Sequence, residues 1–170
     1  MYKSCCFIGH RKIEYSDNLY NSLKGVIENL ILKENVKYFL FGSKSEFNSL
    51  CYNVVTELKD NYPNIVRVSY TCKSEAFYKS GEEKFVESFL SNFYNKKIKI
   101  ESYEEEYNFK NKYVAGKATY IERNIEMIDN SNICIFYYNK DYFLSNKNSG
   151  TKIAYNYAIK NNKKIINMFI

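Results

Sequence analysis

The chain has 170 residues, 45% of them hydrophobic and 18% aromatic, with a formal net charge of +6. That length suits one domain, numbered 1–170, whose core needs no disulfide or metal, and the apolar content excludes a disordered chain. No run approaches the ~20 apolar residues that span a bilayer. The first residues carry no signal-peptide pattern, so a cytoplasmic protein without membrane contact is expected. The lysines are spread along the chain instead of clustering on one element, which reads as a solvated surface and argues against nucleic acid as a partner. A net positive charge still favours a small anionic ligand. The five cysteines (Cys5, Cys6, Cys51, Cys72, Cys134) form no C-x-x-C pair and accompany a single histidine. Buried, reduced thiols are expected, with neither a metal site nor a cofactor.

Cys5 to Ile8 is a short apolar run that breaks at Gly9, followed by His10 and Arg11. Leu19, Leu23, Val26, Ile27, Leu30 and Ile31 recur at helical spacing, with Ser16 or Asp17 as the cap. Val36 to Phe41 is a second apolar run ending at Gly42, and Ser43 or Ser45 can cap the helix that follows. Asn61-Tyr62-Pro63-Asn64 is a breaker, and Ile65 to Tyr70 reads as a third strand. Residues 71–112 read as an irregular insertion or lid carrying one helix, Glu82 to Tyr94, and the acidic Glu104-Glu105-Glu106 shows no clear period. Tyr120 to Asp129 is helical, Ile133 to Tyr138 a strand, Gly150-Thr151 opens a last helix, and Lys164 to Phe169 is a last strand. The alternation predicts an α/β fold: a Rossmann-like open, mostly parallel sheet of about five strands with helices on both faces.

In such a sheet ligands bind outside the carboxyl ends of the strands. Gly9 and Gly42 follow predicted strands and Gly150 precedes a predicted helix. Glycine there can adopt positive φ or let a ligand reach the backbone, and a helix start offers free N–H groups to an anion. Each could equally be a plain turn. No G-x-G-x-x-G or G-x-x-x-x-G-K-[ST] is present, so ordinary dinucleotide and P-loop readings fail. Arg123 either reaches a phosphate or carboxylate with its planar fork or serves as a surface ion-pair partner. Asn124 and Asp129 are caps or ligand contacts. His10 has no assignable Ser or Cys partner and reads as a hydrogen-bonding loop residue. Tyr137 and Tyr138 end a strand where a base could stack.

Four segments resemble a known pattern. Cys5-Cys6-Phe7-Ile8-Gly9-His10-Arg11 is similar to the C-x-x-T-G-H-R opening of YpsA-like proteins, in the SLOG superfamily that also groups DprA with the LOG enzymes. Phe41-Gly42-Ser43 with Glu46-Phe47-Asn48 resembles its G-G-A…G-F-D segment. Arg123-Asn124 with Met127 to Ser131 resembles R-N-x-x-M-V-D-x-S-D, and Ser149-Gly150-Thr151 with Ala154, Tyr157 and Ala158 resembles G-G-T…A…Y-A. The resemblance implies a Rossmann-like domain, often homodimeric, holding a nucleotide or nucleotide-derived ligand. It carries over as candidate contacts Gly9, His10, Arg11, Gly42, Ser43, Glu46, Arg123, Asn124, Ser149, Gly150 and Thr151.

One departure bears on chemistry. LOG enzymes carry P-G-G-x-G-T-x-x-E, whose glutamate serves N-glycosidic cleavage, and here Ala154 takes the glutamate position. Binding is therefore expected over catalysis, as a sensor, carrier or sequestering protein. A nucleotide N-glycosidase, phosphoribohydrolase or deoxyribosyltransferase would need Glu46 as a substitute carboxylate. DprA-type binding of single-stranded nucleic acid is the remaining alternative, and would need a basic groove with stacking aromatics.

Overall fold

Alternation along the first strand decides the layering. In the computed structural model, which describes residues 1–42, 45–72, 102–113, 116–141 and 149–169, β1 (Lys3–Gly9) sends Cys5 and Phe7 to one face of a sheet and Cys6 and Ile8 to the other. Both faces are buried, so the strand reads as an unbroken apolar run with no polar alternation. The remaining elements are α1 (Asp17–Glu34), β2 (Val36–Phe41), α2 (Glu46–Asn61), β3 (Val66–Thr71) and β4 (Glu105–Asn108). After them come α3 (Lys117–Asp129), β5 (Ile133–Tyr137), α4 (Gly150–Lys160) and β6 (Lys164–Asn167).

The six strands run in the order β4-β3-β2-β1-β5-β6, and every neighbouring pair is parallel. The chain builds outward from β1 to β4, then returns to lay β5 against the free side of β1, with Gly9 opposite Tyr137. That reversal is the topological switch point, where a crevice opens between loops leaving in opposite directions. One core packs α1 and α2 on the face of Phe7, Phe39 and Phe41, and a second packs α3 and α4 on the face of Ile8, Leu40 and Phe136. Three helices begin on a serine whose hydroxyl accepts a backbone N–H: Ser16 from Leu19, Ser45 from Asn48 and Ser149 from Lys152, at 3.1–3.2 Å. These caps satisfy amides that the first turn leaves without partners.

The strand count is six, not about five. The extra strand, β4, lies inside the stretch 71–112 that reads as irregular from sequence. All four of its residues are exposed, so it has no buried face to impose an alternating pattern. It is held from its flank. Arg67 of β3 donates to both carboxylate oxygens of Glu104, with Nε at 3.1–3.2 Å and Nη2 at 2.5 Å, and Tyr52 Oη is bonded by both the N–H and C=O of Ser102 at 2.9 Å. Desolvation raises the Glu104 carboxyl, but the hydrogen bonds and charge of Arg67 outweigh it and hold the group at about 2. The helix expected over Glu82 to Tyr94 lies outside the described residues, and β6 stops at Asn167, short of Phe169.

All five cysteines are buried and none is in a disulfide, and burial pushes the Cys5 and Cys51 thiols well up. They are packing residues. Among the described residues no helix is long and apolar enough to cross a membrane.

Candidate ligand site at the carboxyl ends of the strands

At the end of β1, close packing sets the sequence. A Cβ on Gly9 would come within 2.5–2.7 Å of Phe47, so α2 can press on the strand only where the side chain is missing. Gly9, Gly42 and Gly150 all lack positive φ; Gly116 alone among the described glycines has it, at 82°. Of the two uses open to glycine there, positive φ is not the one these three serve. At Gly9 and Gly42 the constraint is room.

His10 ties the two loops that flank the switch point. Its backbone N–H donates to the Tyr137 carbonyl at 3.2 Å, and its Nε2 accepts the Asn139 N–H at 3.1 Å. The ring lies 5.8 Å from that of Tyr138 and edge-on to Tyr137. Burial pushes the imidazole below its ordinary value, which agrees with a neutral ring accepting an amide. Nε2 thus holds the Asn139 amide of the loop that leaves β5. Arg11 is exposed, and its carbonyl accepts the Glu46 N–H at 2.9 Å. Glu46 returns the contact, its Oε2 accepting the Ile13 N–H at 2.9 Å. The carboxylate considered for catalysis thus braces the β1–α1 loop.

At the end of β2, buried Asn48 joins two strands: Nδ2 donates to the Phe7 carbonyl at 3.2 Å, and Oδ1 accepts the Gly42 N–H at 3.3 Å. Gly42 in turn makes room for α3. A Cβ there would lie 2.4 Å from Met127 Sδ and 3.0 Å from Arg123 Cδ and Nε. Arg123 is only 2% exposed; Nη1 donates to Cys72 Sγ at 3.4 Å and the guanidinium lies 5.1 Å from the Tyr120 ring centre. Of the two sequence readings, the surface ion pair is the one the structure removes. Its neighbour Glu122 instead accepts the backbone N–H groups of Lys112 and Tyr113 and the Asn111 amide, at 3.1–3.3 Å.

Gly9, His10, Arg11, Gly42, Glu46 and Arg123 therefore form one connected cluster through Phe47, Asn48 and Tyr137. Ser43 lies outside the described residues. Asn124 is half-buried on α3. Ser149, Gly150 and Thr151 open α4 on the same edge, and a Cβ on Gly150 would meet nothing within 4 Å. Asp129 sits at the opposite edge, accepting the Tyr157 hydroxyl at 2.9 Å, and is a tether between α3 and α4. Tyr137 and Tyr138 are both buried, Tyr138 against Tyr155 at 4.8 Å, so neither offers an open stacking face. Ala154 is 1% exposed in the α3–α4 core.

Because each helix starts after the carboxyl end of a strand in an all-parallel sheet, four helix amino termini share this edge. Their dipoles and the Arg123 guanidinium make it suited to an anion. No group of three or more His, Cys, Asp or Glu side chains among the described residues could hold a metal ion.

Neither a protein-family model nor a curated protein matches the chain. Among solved structures, it is similar to DNA processing protein A from Helicobacter pylori, a protein that binds single-stranded DNA. The match has 13% identity and a TM-score of 0.58, covering 96% of this chain and 63% of that one. The chain thus spans less than two thirds of that protein's length. At this identity the likeness shows the fold alone, an open parallel sheet of Rossmann-like type.

Proposed function

We propose that the chain, as a single SLOG-type, YpsA-like domain, binds a nucleotide or nucleotide-derived small molecule at the carboxyl ends of its strands, as a sensor, carrier or sequestering protein. The observation that carries this reading is the placement of Arg123. A guanidinium is costly to bury, and this one is buried at the edge where α/β sheets take their ligands, in space that Gly42 leaves open. Its planar fork suits phosphate or carboxylate. Gly9, His10, Arg11, Gly42, Ser43, Glu46, Asn124, Ser149, Gly150 and Thr151 are the further candidate contacts. Catalysis is a weaker reading, since Ala154 brings no carboxylate and Glu46 is engaged with the Ile13 amide.

The test is mass spectrometry of small molecules released from heat-denatured protein, with thermal shifts against a nucleotide panel. A nucleotide at 100 times its dissociation constant should add about 2.7 kcal/mol to stability. Arg123→Met should abolish the shift, and the exposed Arg11→Ala should report on the rim without disturbing the fold. If nothing is released and no nucleotide raises the midpoint, the reading fails.

Single-stranded nucleic acid is a second reading, supported by what the Helicobacter pylori protein binds and by the exposed Lys110, Lys112, Tyr113 and Tyr120 around the start of α3. Local clustering of lysine with tyrosine there weakens the argument from evenly spread charge. Anisotropy of a labelled oligothymidylate should then fall steeply with salt; salt-independent or absent binding eliminates it.

A further inference from the structure

Eight large hydrophobic side chains are exposed among the described residues, and three of them, Tyr107, Tyr113 and Tyr120, fall within one short stretch. Scattered exposed aromatics need no explanation, but this group is arranged. The segment 111–113 is fastened to α3 through Glu122, and the Thr119 hydroxyl donates to the Tyr113 carbonyl at 3.3 Å. Tyr113 is thereby fixed beside the turn that carries Tyr120. Tyr107 is committed elsewhere, its ring against Tyr70 and its hydroxyl on Glu126.

Tyr120 stands out from the three. Its ring covers the guanidinium of Arg123, which continues inward to Gly42 and Cys72 at the strand ends, yet Tyr120 remains 44% exposed. An uninterrupted path therefore runs from an open aromatic side chain through a buried cation to the ligand edge of the sheet. Lys117 lies three residues before Tyr120 on the same helix, and Lys112 Nζ sits 5.9 Å from the Tyr113 ring centre. Glu122, two residues after Tyr120 on this helix, is turned to the backbone of residues 112 and 113. An aromatic shelf with cations beside and beneath it complements a flat, π-faced ring that carries phosphate.

We infer that Tyr120 is the shelf on which the base of the bound nucleotide stacks, with the phosphate directed toward Arg123. The inference rests on the nucleotide reading above. It assigns the base a place outside the switch-point crevice, where Tyr137 and Tyr138 are buried.

The chain contains no tryptophan, so Tyr120→Trp introduces a single indole at the shelf. The four ribonucleoside monophosphates should quench its fluorescence saturably, while ribose 5-phosphate, which has no base, should bind without quenching. Tyr120→Ala should weaken the monophosphates by about 5- to 150-fold, the range of one base–aromatic stack. It should weaken ribose 5-phosphate, which has no base to stack, far less than the monophosphates. Tyr120→Phe should restore the affinity. Equal calorimetric affinity of a monophosphate for wild type and Tyr120→Ala overturns the shelf and leaves the nucleotide reading standing. Failure of every monophosphate to bind wild type overturns both.

Discussion

At the amino ends of the strands, polar side chains fasten one element to another. Ser4 Oγ donates to the Asn130 carbonyl at 2.6 Å, Lys163 Nζ donates to the Asp129 and Ser131 carbonyls at 3.1 and 2.8 Å, and Lys3 and Lys164 both pair with Glu34. At the carboxyl ends the strands stop at Gly9 and just before Gly42, and helices close on the space those glycines leave. The two buried arginines express the difference. Arg67, near the start of β3, meets the Glu104 carboxylate, Tyr52 and Thr56; Arg123, over the ends of β2 and β3, meets a thiol and an aromatic ring. One cation meets a carboxylate near the start of its strand. The other lies at the strand ends, the edge where such sheets take ligands. A buried arginine is thus classified by the edge it faces as much as by its burial.

Removing the partner of the structural arginine should give the largest loss of stability. Glu104→Gln leaves the Arg67 charge buried without its carboxylate, a change worth about 3–5 kcal/mol in full burial and about 2–3 kcal/mol here, where Glu104 is partly open to solvent. Urea unfolding measures it, and nucleotide binding should be untouched. The same pair predicts acid sensitivity. With Glu104 depressed to about 2 in the folded state against an ordinary 4.5, its contribution is complete above about 4.5 and is lost as pH falls toward 2.

The glycines come next. Gly9→Ala drives a Cβ into the ring and Cβ of Phe47 and should cost about 1–3 kcal/mol, because the helix itself must move. Gly42→Ala meets the flexible ends of Met127 and Arg123, so it should cost at most about 1 kcal/mol in urea unfolding while weakening nucleotide binding more than Gly9→Ala does. Equal binding losses in the two variants would remove the distinction drawn at β2.

A smaller effect is expected from His10. Its folded value is depressed below the ordinary 6.5, so the unfolded chain takes up the proton first and stability declines as pH falls below about 6.5. The slope should not exceed about 1.4 kcal/mol per pH unit, and His10→Gln should flatten it. Smallest of all is Gly150→Ala, expected within about 0.5 kcal/mol of wild type, since its Cβ would enter open space at the start of α4.

The layering was legible because strands buried on both faces leave continuous apolar runs, as at Cys5 to Ile8 and Ile133 to Tyr137, and because capping serines precede α1 and α2. β4 was not legible, since an exposed edge strand held by Arg67 and Tyr52 leaves no periodic trace of its own. Arg123 was legible only as a choice between two roles. The deciding signal was its spacing, four residues from Thr119 and four from Met127, both buried on the same stripe of α3. Asn48 appeared only as part of a motif, and its bridge between β1 and β2 depends on a contact 41 residues away. Tyr120 gave no sign of its neighbour Arg123 beyond an i, i+3 spacing shared by any helix.

His10 has a consequence for observation. The chain contains one histidine, and its Nε2 accepts the amide that begins the loop leaving β5. In a proton spectrum the imidazole therefore contributes a single pair of carbon-bound ring signals, and their titration reports on the contact between His10 and the Asn139 amide. No label or substitution is needed to follow it.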